Sequence, residues 1–435
     1  MKRLLPAVVL GAAAICRIAP AQTTPTGVPL KLTFEDALAR ARQFSQDVYT
    51  ANVTALLARE DTLQAKHAML PAASALSNFI YTQPNGTPTG IFVPNDGPRI
   101  YTDWVTAHGD IYNPGLRAAY HKAIAAEALA KAKSDLAVRG LLATVTEDYY
   151  GMVGGQRKIA NAEQSLKEAR DFQDLTEKQE RGGEAAKVDV IKAQIQVRQR
   201  ERDLQDARAA FDKARITFAV ILFPDYNRDY SVEDDLETPR PLPPAEQMQS
   251  MAARNNPDIR AAEAALAQQN SVVAEAHAAY LPNLSADYYY GLQANQVAIH
   301  NPEGQNLIGS SFVINLNIPI FNWGINRSRM RQAQLQFDLA KRDLSLAQRT
   351  LLSELDAAYR EAEVAISQIA SLRESLALSQ KNLELTQLRY KAGESIAQEV
   401  VDAQTTLVEA RGAVDDGLIR YRVALANLQT LTGVF

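Results

Sequence analysis

The sequence predicts a mixed α and β chain, internally duplicated, in which long antiparallel coiled-coil helices accompany four strands. Three observations carry this. Landmarks recur at a nearly constant offset: Pro71 of "MLPAAS" and Pro282 of "YLPNLS" lie 211 residues apart, and Asn113 of "YNPG" and Asn322 of "FNWG" 209. Gly183-Glu184, Val190 and Ala193-Gln194 return at an offset of 210 as Gly393-Glu394, Val400 and Ala403-Gln404. Self-similarity at one period is the mark of repeated structural units. From Asn326 to Lys391 there is neither proline nor glycine; about 65 helical residues extend about 100 Å, far beyond an ordinary globular helix. In "FVINLNIPIF" the period changes to two, with Phe312, Ile314, Leu316, Ile318 and Ile320 on one face and Val313, Asn315, Asn317 and Pro319 on the other, the alternation of a strand.

The chain divides accordingly. Residues 1–21 read as a secretory signal, with Lys2 and Arg3, an apolar run from Leu4 to Ile15, and Ala19-Pro20-Ala21 as a small-x-small cleavage site. The run is too short to span a bilayer comfortably. The only cysteine, Cys16, lies there; a lipid-attachment cysteine usually follows Gly or Ala, and Ile15 precedes this one. No disulfide can form within the chain. Residues 22–223 make the first repeat and 245–435 the second. Between them 224–244, rich in Pro, Asp and Glu, is a linker or irregular crossover.

Each repeat has the same order of elements. It opens on a helix, with Thr33 as N-cap of a T-x-x-D signal in the first copy and Pro257-Asp258 leading the second. A Leu-Pro break and a strand pair follow. "LPNLSADYYYGL" partners "FVINLNIPIF" across the polar loop "QANQVAIHNPEGQN"; "ASALSNFIYTQ" and "IYTDWVTAHGDIY" flank a Gly/Pro-rich loop at 84–98. Trp104 and Tyr288 to Tyr290 are candidate aromatics of a membrane interface. Each repeat then returns to long helix, interrupted in the first copy only by "GMVGG" at 151–155, where a bend is expected. The closing helix carries Val400, Ala403, Leu407, Ala410, Val414, Gly417, Tyr421, Ala424, Leu428 and Leu431 at steps of three and four. The first copy repeats the register from Val190 to Ile221, breached at Arg200. This is a heptad seam, so each unit holds a long antiparallel helical hairpin.

The pattern excludes several classes. A formal net charge of −4 shows no basic footprint for nucleic acid. The five histidines are scattered, and no H-E-x-x-H, G-x-S-x-G or P-loop appears, so no enzyme, cofactor or metal site is expected. Four strands alone leave open edges, a liability in water and worse in a membrane, where every backbone group must be paired. The consistent solution is an oligomer whose strands close one barrel, 8 from two chains or 12 from three.

The duplicated order of helix, Leu-Pro, strand pair, "FN-x-G", long helix and Gly…Val-x-x-Ala-Gln hairpin resembles the TolC-type outer-membrane efflux protein family over essentially the whole chain after the signal. The resemblance implies a homotrimer with a 12-stranded β-barrel among outer-membrane lipid of a Gram-negative bacterium, continued by an α-barrel into the periplasm. It implies an exit duct of a tripartite efflux or type I secretion system, passive, and opened at its tip by a periplasmic adaptor and an inner-membrane transporter. Matching by the glycine places gate carboxylates at Glu399 and Asp402, an inter-hairpin link at Tyr390 and Asp189, and the tip turns at Gly183 and Gly393. The family's locking arginine is absent, with Ser395 in its place, and Lys187 and Lys192 could neutralise the ring instead. The rival reading is a soluble periplasmic coiled-coil adaptor or scaffold, but an adaptor should carry one hairpin rather than two matched hairpin-strand units.

Overall fold

The computed structural model describes residues 30–82, 99–238 and 240–433; the signal, Cys16 and the loop at 84–98 lie outside them. The repeat is visible element by element. A short strand β1 (Leu30–Leu32) precedes α1 (Phe34–Phe44), α2 (Gln46–His67), β2 (Ala72–Tyr81), β3 (Arg99–Tyr112), α3 (Pro114–Arg181) and α4 (Lys187–Leu222). The connecting β4 (Tyr230–Val232) leads to α5 (Ala245–Asn255), α6 (Pro257–Ala278), β5 (Asn283–Ala294), β6 (Ile308–Asn317), α7 (Ile325–Lys391) and α8 (Ala397–Thr432).

Thr33 forms a complete capping box with Asp36, which satisfies two orphan helix donors at once. The opening helix, expected to be continuous, is two. Ser45 adopts extended backbone, ends α1 through its N–H to Ala41 and starts α2 by accepting from Val48 N. Asn256 does the same between α5 and α6, accepting from Asp258 and Ile259 N while its amide donates to the Leu431 carbonyl at 2.9 Å. A short polar side chain that bonds its own backbone competes with helix, and here it makes a joint in both copies.

The four long strands form one antiparallel sheet in the order β2-β3-β5-β6, so the pairing of β3 with β5 joins the two repeats. Register sorts its faces. One carries Tyr101, Val105, Leu284, Tyr288, Tyr290, Phe312, Ile314 and Leu316; the other carries Thr102, Thr106, His108, Asp110, Ser285, Asp287, Asn315 and Asn317. Ser77 and Asp103, which bond one another, and Ser310 are exceptions on the apolar face, as Leu76, Ile80, Ile100 and Val313 are on the polar one. Trp104 lies on the polar face against Tyr289, ring centroids 5.3 Å apart; Tyr288 and Tyr290 are exposed on the apolar face, and Phe321 and Trp323 add a further exposed aromatic pair at the junction with α7. β6 ends at Asn317, so Ile318 and Ile320 do not continue its face: Pro319 cannot donate to a ladder.

A polar chain ties sheet to helix. Asn315 Nδ2 donates to Asp287 at 2.8 Å, Asp287 meets His108 Nδ1 at 2.6 Å, and His108 Nε2 lies 3.7 Å from Asp110. Asn113 Nδ2 donates to Asp110 at 3.0 Å, while its oxygen caps α3 by accepting from Leu116 N.

The hairpins run as the heptads require. α3 and α7 have 68 and 67 residues, α4 and α8 have 36 each. None of the ten seam positions is exposed in either closing helix. Arg200, the breach, reaches across to Thr405 Oγ1 at 3.1 Å. "GMVGG" does not interrupt α3. Two of its three glycines are seats for neighbours: a Cβ on Gly154 would stand 2.7 Å from Ile419 Cδ1, and one on Gly155 2.9 Å from the Phe211 ring, while Gly151 faces open space.

The linker is strapped down rather than loose. β4 pairs in parallel with β1, and Tyr149 donates to the Glu233 carbonyl at 2.8 Å. Burial pushes the Tyr150 phenol up to about 12, helped by Asp235. Arg157 spans Asp234, Glu237 and Asp415; burial opposes its charge, but the bonds to Asp234 and Asp415 outweigh it and hold the guanidinium above its usual value. Arg422, 3% exposed, donates to the carbonyls of Asp235 and Thr238. Removing one partner of a buried charged network costs about 3 kcal/mol. Arg422→Ala should therefore lower the thermal midpoint of the detergent-solubilised protein and expose 235–240 to protease; an unchanged midpoint and digest would show that the strap contributes nothing.

Candidate functional site

The far ends of the two helical hairpins form the candidate site, and each is built by the same turn. α3 ends with Gly183 N bonded to the Glu180 carbonyl and Glu184 N to Gln179. α7 ends with Gly393 N to Tyr390 and Glu394 N to Arg389. These are paired Schellman motifs, in which a left-handed residue lets two amides satisfy orphan carbonyls. Gly183 and Gly393 supply it, with φ of +78° and +75°.

Above the turns the two hairpins meet in an apolar cluster of Phe172, Ala193, Leu383, Tyr390, Ala397, Val400, Ala403 and Leu407. Sequence matching paired Tyr390 with Asp189. In the chain itself Tyr390 is 5% exposed, edge-on to Phe172 at 5.2 Å, with its hydroxyl 3.5 Å from Thr176 Oγ1. Burial raises its phenol pKa; the Thr176 bond acts the other way, and the Asp189 charge adds to the rise. Asp189 is thus an electrostatic neighbour rather than a hydrogen-bond partner within the chain.

The carboxylates differ in their surroundings. Glu399 and Asp402 are both exposed at the start of α8. Glu399 Oε2 accepts from Ser395 Oγ at 2.7 Å and lies 3.6 Å from Arg389 Nη1, while Arg389 Nη2 donates to the Glu394 carbonyl at 3.1 Å. Among the described residues the Asp402 carboxylate accepts from a neutral amide alone, Gln398 Nε2, at 2.8 Å. Lys187 leans to Glu180 at 3.9 Å. Lys192 is half-buried and forms no ion pair among the described residues.

A second feature joins the hairpins farther up. Glu168 forms a two-pronged ion pair with Arg411 at 2.7 and 3.2 Å, both side chains 16% exposed, and its carbonyl accepts from Gln404. Asp415 accepts from Asn161 at 2.7 Å and from Arg157 at 2.9 Å. Sequence reasoning passed over these groups and Arg389. The available signal was opposite charge flanking the seams of α3 and α8, which pairs only once the hairpins are known to lie side by side. Among the described residues no cluster suited to a metal ion occurs, and no helix is long and apolar enough to cross a membrane.

Comparison with known proteins bears on this arrangement. A family model described as "Outer membrane efflux protein" matches residues 99–222 and 248–434. Outer membrane protein TolC of Escherichia coli is 27% identical over 130 residues, which is 30% of this chain and 26% of that protein. The match thus spans about a quarter of that relative's length. Alkaline protease secretion protein AprF of Pseudomonas aeruginosa is 21% identical over 381 residues, 85% of this chain and 79% of that one. The crystal structure of the Campylobacter jejuni CmeC outer membrane channel superposes with a TM-score of 0.80 at 16% identity, covering 92% of this chain and 85% of that one, a likeness of fold.

The left-handed turns set a simple expectation. Holding a residue with a Cβ in that region costs about 1 kcal/mol, so Gly393→Ala and Gly183→Ala should each quicken proteolysis at the tip. Gly182→Ala should not, because Gly182 has ordinary right-handed backbone, φ −78°. Equal digestion of all three variants would remove the turn's dependence on glycine.

Proposed function

Because this chain belongs to the outer membrane efflux protein family, an outer-membrane channel family rather than an enzyme family, we propose that it is the exit duct of a tripartite efflux or type I secretion assembly. In this reading it is a passive homotrimer, opened at its tip by a periplasmic adaptor and an inner-membrane transporter. The observation that carries the proposal is the sheet. Four strands with one apolar face end in two free ladders, β2 and β6. A bilayer tolerates neither free ladder. Three copies joined β6 to β2 close 12 strands, with the apolar face toward lipid and the polar face lining a channel wide enough for water. The hairpins then continue as a tube about 100 Å long, with its tips across the periplasm.

The adaptor or scaffold reading accounts less well for the molecule, since it leaves the apolar face of the sheet and both ladders uncovered. Efflux and protein secretion both fit the duct; AprF is named for the second. Fractionation decides between duct and adaptor: the protein should partition with outer membranes and resist extraction by salt, and recovery only in the soluble periplasm would sink the duct. At the tip, Glu399 and Asp402 are proposed to face the axis, where carboxylates from three chains favour cations. Glu399→Ala with Asp402→Ala should raise single-channel conductance and weaken block by multivalent cations in planar bilayers. Conductance and block identical to the parent would remove both residues from the constriction.

A further inference from the structure

The two hairpins share a backbone but not the charges at their tips. α4 and α8 have equal lengths and begin 210 residues apart, so each position in one has a twin in the other. Val190 and Val400, then Ala193 and Ala403, occupy the seam in both and are buried in both. Positions between them therefore sit at the same height and the same angle to the seam. The twin of Asp402 is Lys192, and the twin of Glu399 is Asp189. Arg389 and Ser395, which engage Glu399, have Gln179 and Ala185 as twins, neither able to hold a carboxylate by charge. Lys187 has another partner, Glu180, whereas Lys192 has none among the described residues.

Resting on the duct reading above, we infer that Lys192 is the counter-charge of the constriction: around the pseudo-sixfold mouth, Asp402 and Lys192 alternate in one ring of opposite charges. The neighbouring ring alternates Glu399, already clasped by Arg389, with Asp189. The mouth then carries about one net negative charge per chain instead of an unopposed pair of carboxylates. Opposite charges side by side attract across the boundary between chains. The ring that looks self-repelling in one repeat becomes self-attracting once its twin is set beside it. The arrangement makes this duct weakly cation-selective and gives its mouth a charge pair to part on opening.

Reversal potentials of the full-length protein in planar bilayers, in a potassium chloride gradient, test this. Lys192→Gln should raise the potassium-to-chloride permeability ratio at least twofold, and Lys192→Glu further. Adding Asp402→Asn to Lys192→Gln should bring the ratio back toward the parent. Lys187→Gln should leave it unchanged, and gel filtration checks that each variant assembles as the parent does. A Lys192→Gln channel with parental selectivity, while Asp402→Asn shifts the ratio toward anions, overturns the counter-charge and leaves the constriction standing. If neither variant, nor Glu399→Gln, moves the ratio, both the counter-charge and the constriction fail.

Discussion

The pairing of β3 with β5 is the constraint from which the rest of the molecule follows. It makes one sheet of two repeats, and it leaves β2 and β6 as edges, each ten residues long. Nothing in the described chain caps those ladders: neither edge strand carries proline, lysine or arginine, the usual guards of an exposed edge. Their side chains are exposed throughout the central span, Phe312 at 65% and Leu316 at 61%. Such edges are stable only when joined, and the register that sorts polar from apolar residues fixes the side that can meet lipid.

The helices solve a different problem. Long hairpins lying side by side bury residues along their seams, and a wider core gathers only where α1, β1 and β4 pack on α3 and α4, around Tyr149, Phe218 and Leu222. This explains the small residues: Gly154, Gly155, Ala193 and Ala403 let partners approach where a larger side chain would hold them apart. It also explains why buried charge is tolerated between α3 and α8. Glu168 with Arg411, and Asp415 with Arg157, meet across a boundary that apolar seams alone would leave free to slide. Charged pairs of this kind specify register more than they add stability. The linker extends the same logic, since Arg422 and Tyr149 bind its carbonyls and keep 233–238 against the helices.

Most of this architecture was legible, because repetition and periodicity survive without any knowledge of partners. The 210-residue offset located both turns, and the heptads from Val190 and Val400 identified the buried stripe. What could not be read depends on groups that meet only in space. Ser45 looks like an ordinary helix residue until its side chain is seen bonding the backbone, and the short α5 ahead of Asn256 goes unread although Pro257 marks the start of α6. "GMVGG" suggested a bend because glycine weakens helix, yet Ile419 and Phe211, far away in sequence, fill the space that Gly154 and Gly155 leave. Ile318 and Ile320 fit the strand's alternation perfectly well, and Pro319 stops the ladder regardless.

The tip shows how a duplicated chain can diverge while its backbone stays fixed. The Schellman turns must be kept in both copies, since each needs a left-handed glycine. The side chains around them are under no such demand, so the first copy carries Gln179, Ala185, Asp189 and Lys192 where the second carries Arg389, Ser395, Glu399 and Asp402. With Ser395 where a locking arginine was expected, the cation has not vanished. One cation, Arg389, lies six residues earlier and reaches Glu399 across the turn; another, Lys192, stands in the opposite repeat. In the proposed trimeric mouth charge is the sum over twins, so a cation moved from one repeat to the other leaves the total intact while changing which neighbours attract. The second tip read alone gives a carboxylate pair; set beside the first, which carries Lys192, it gives tips of mixed charge.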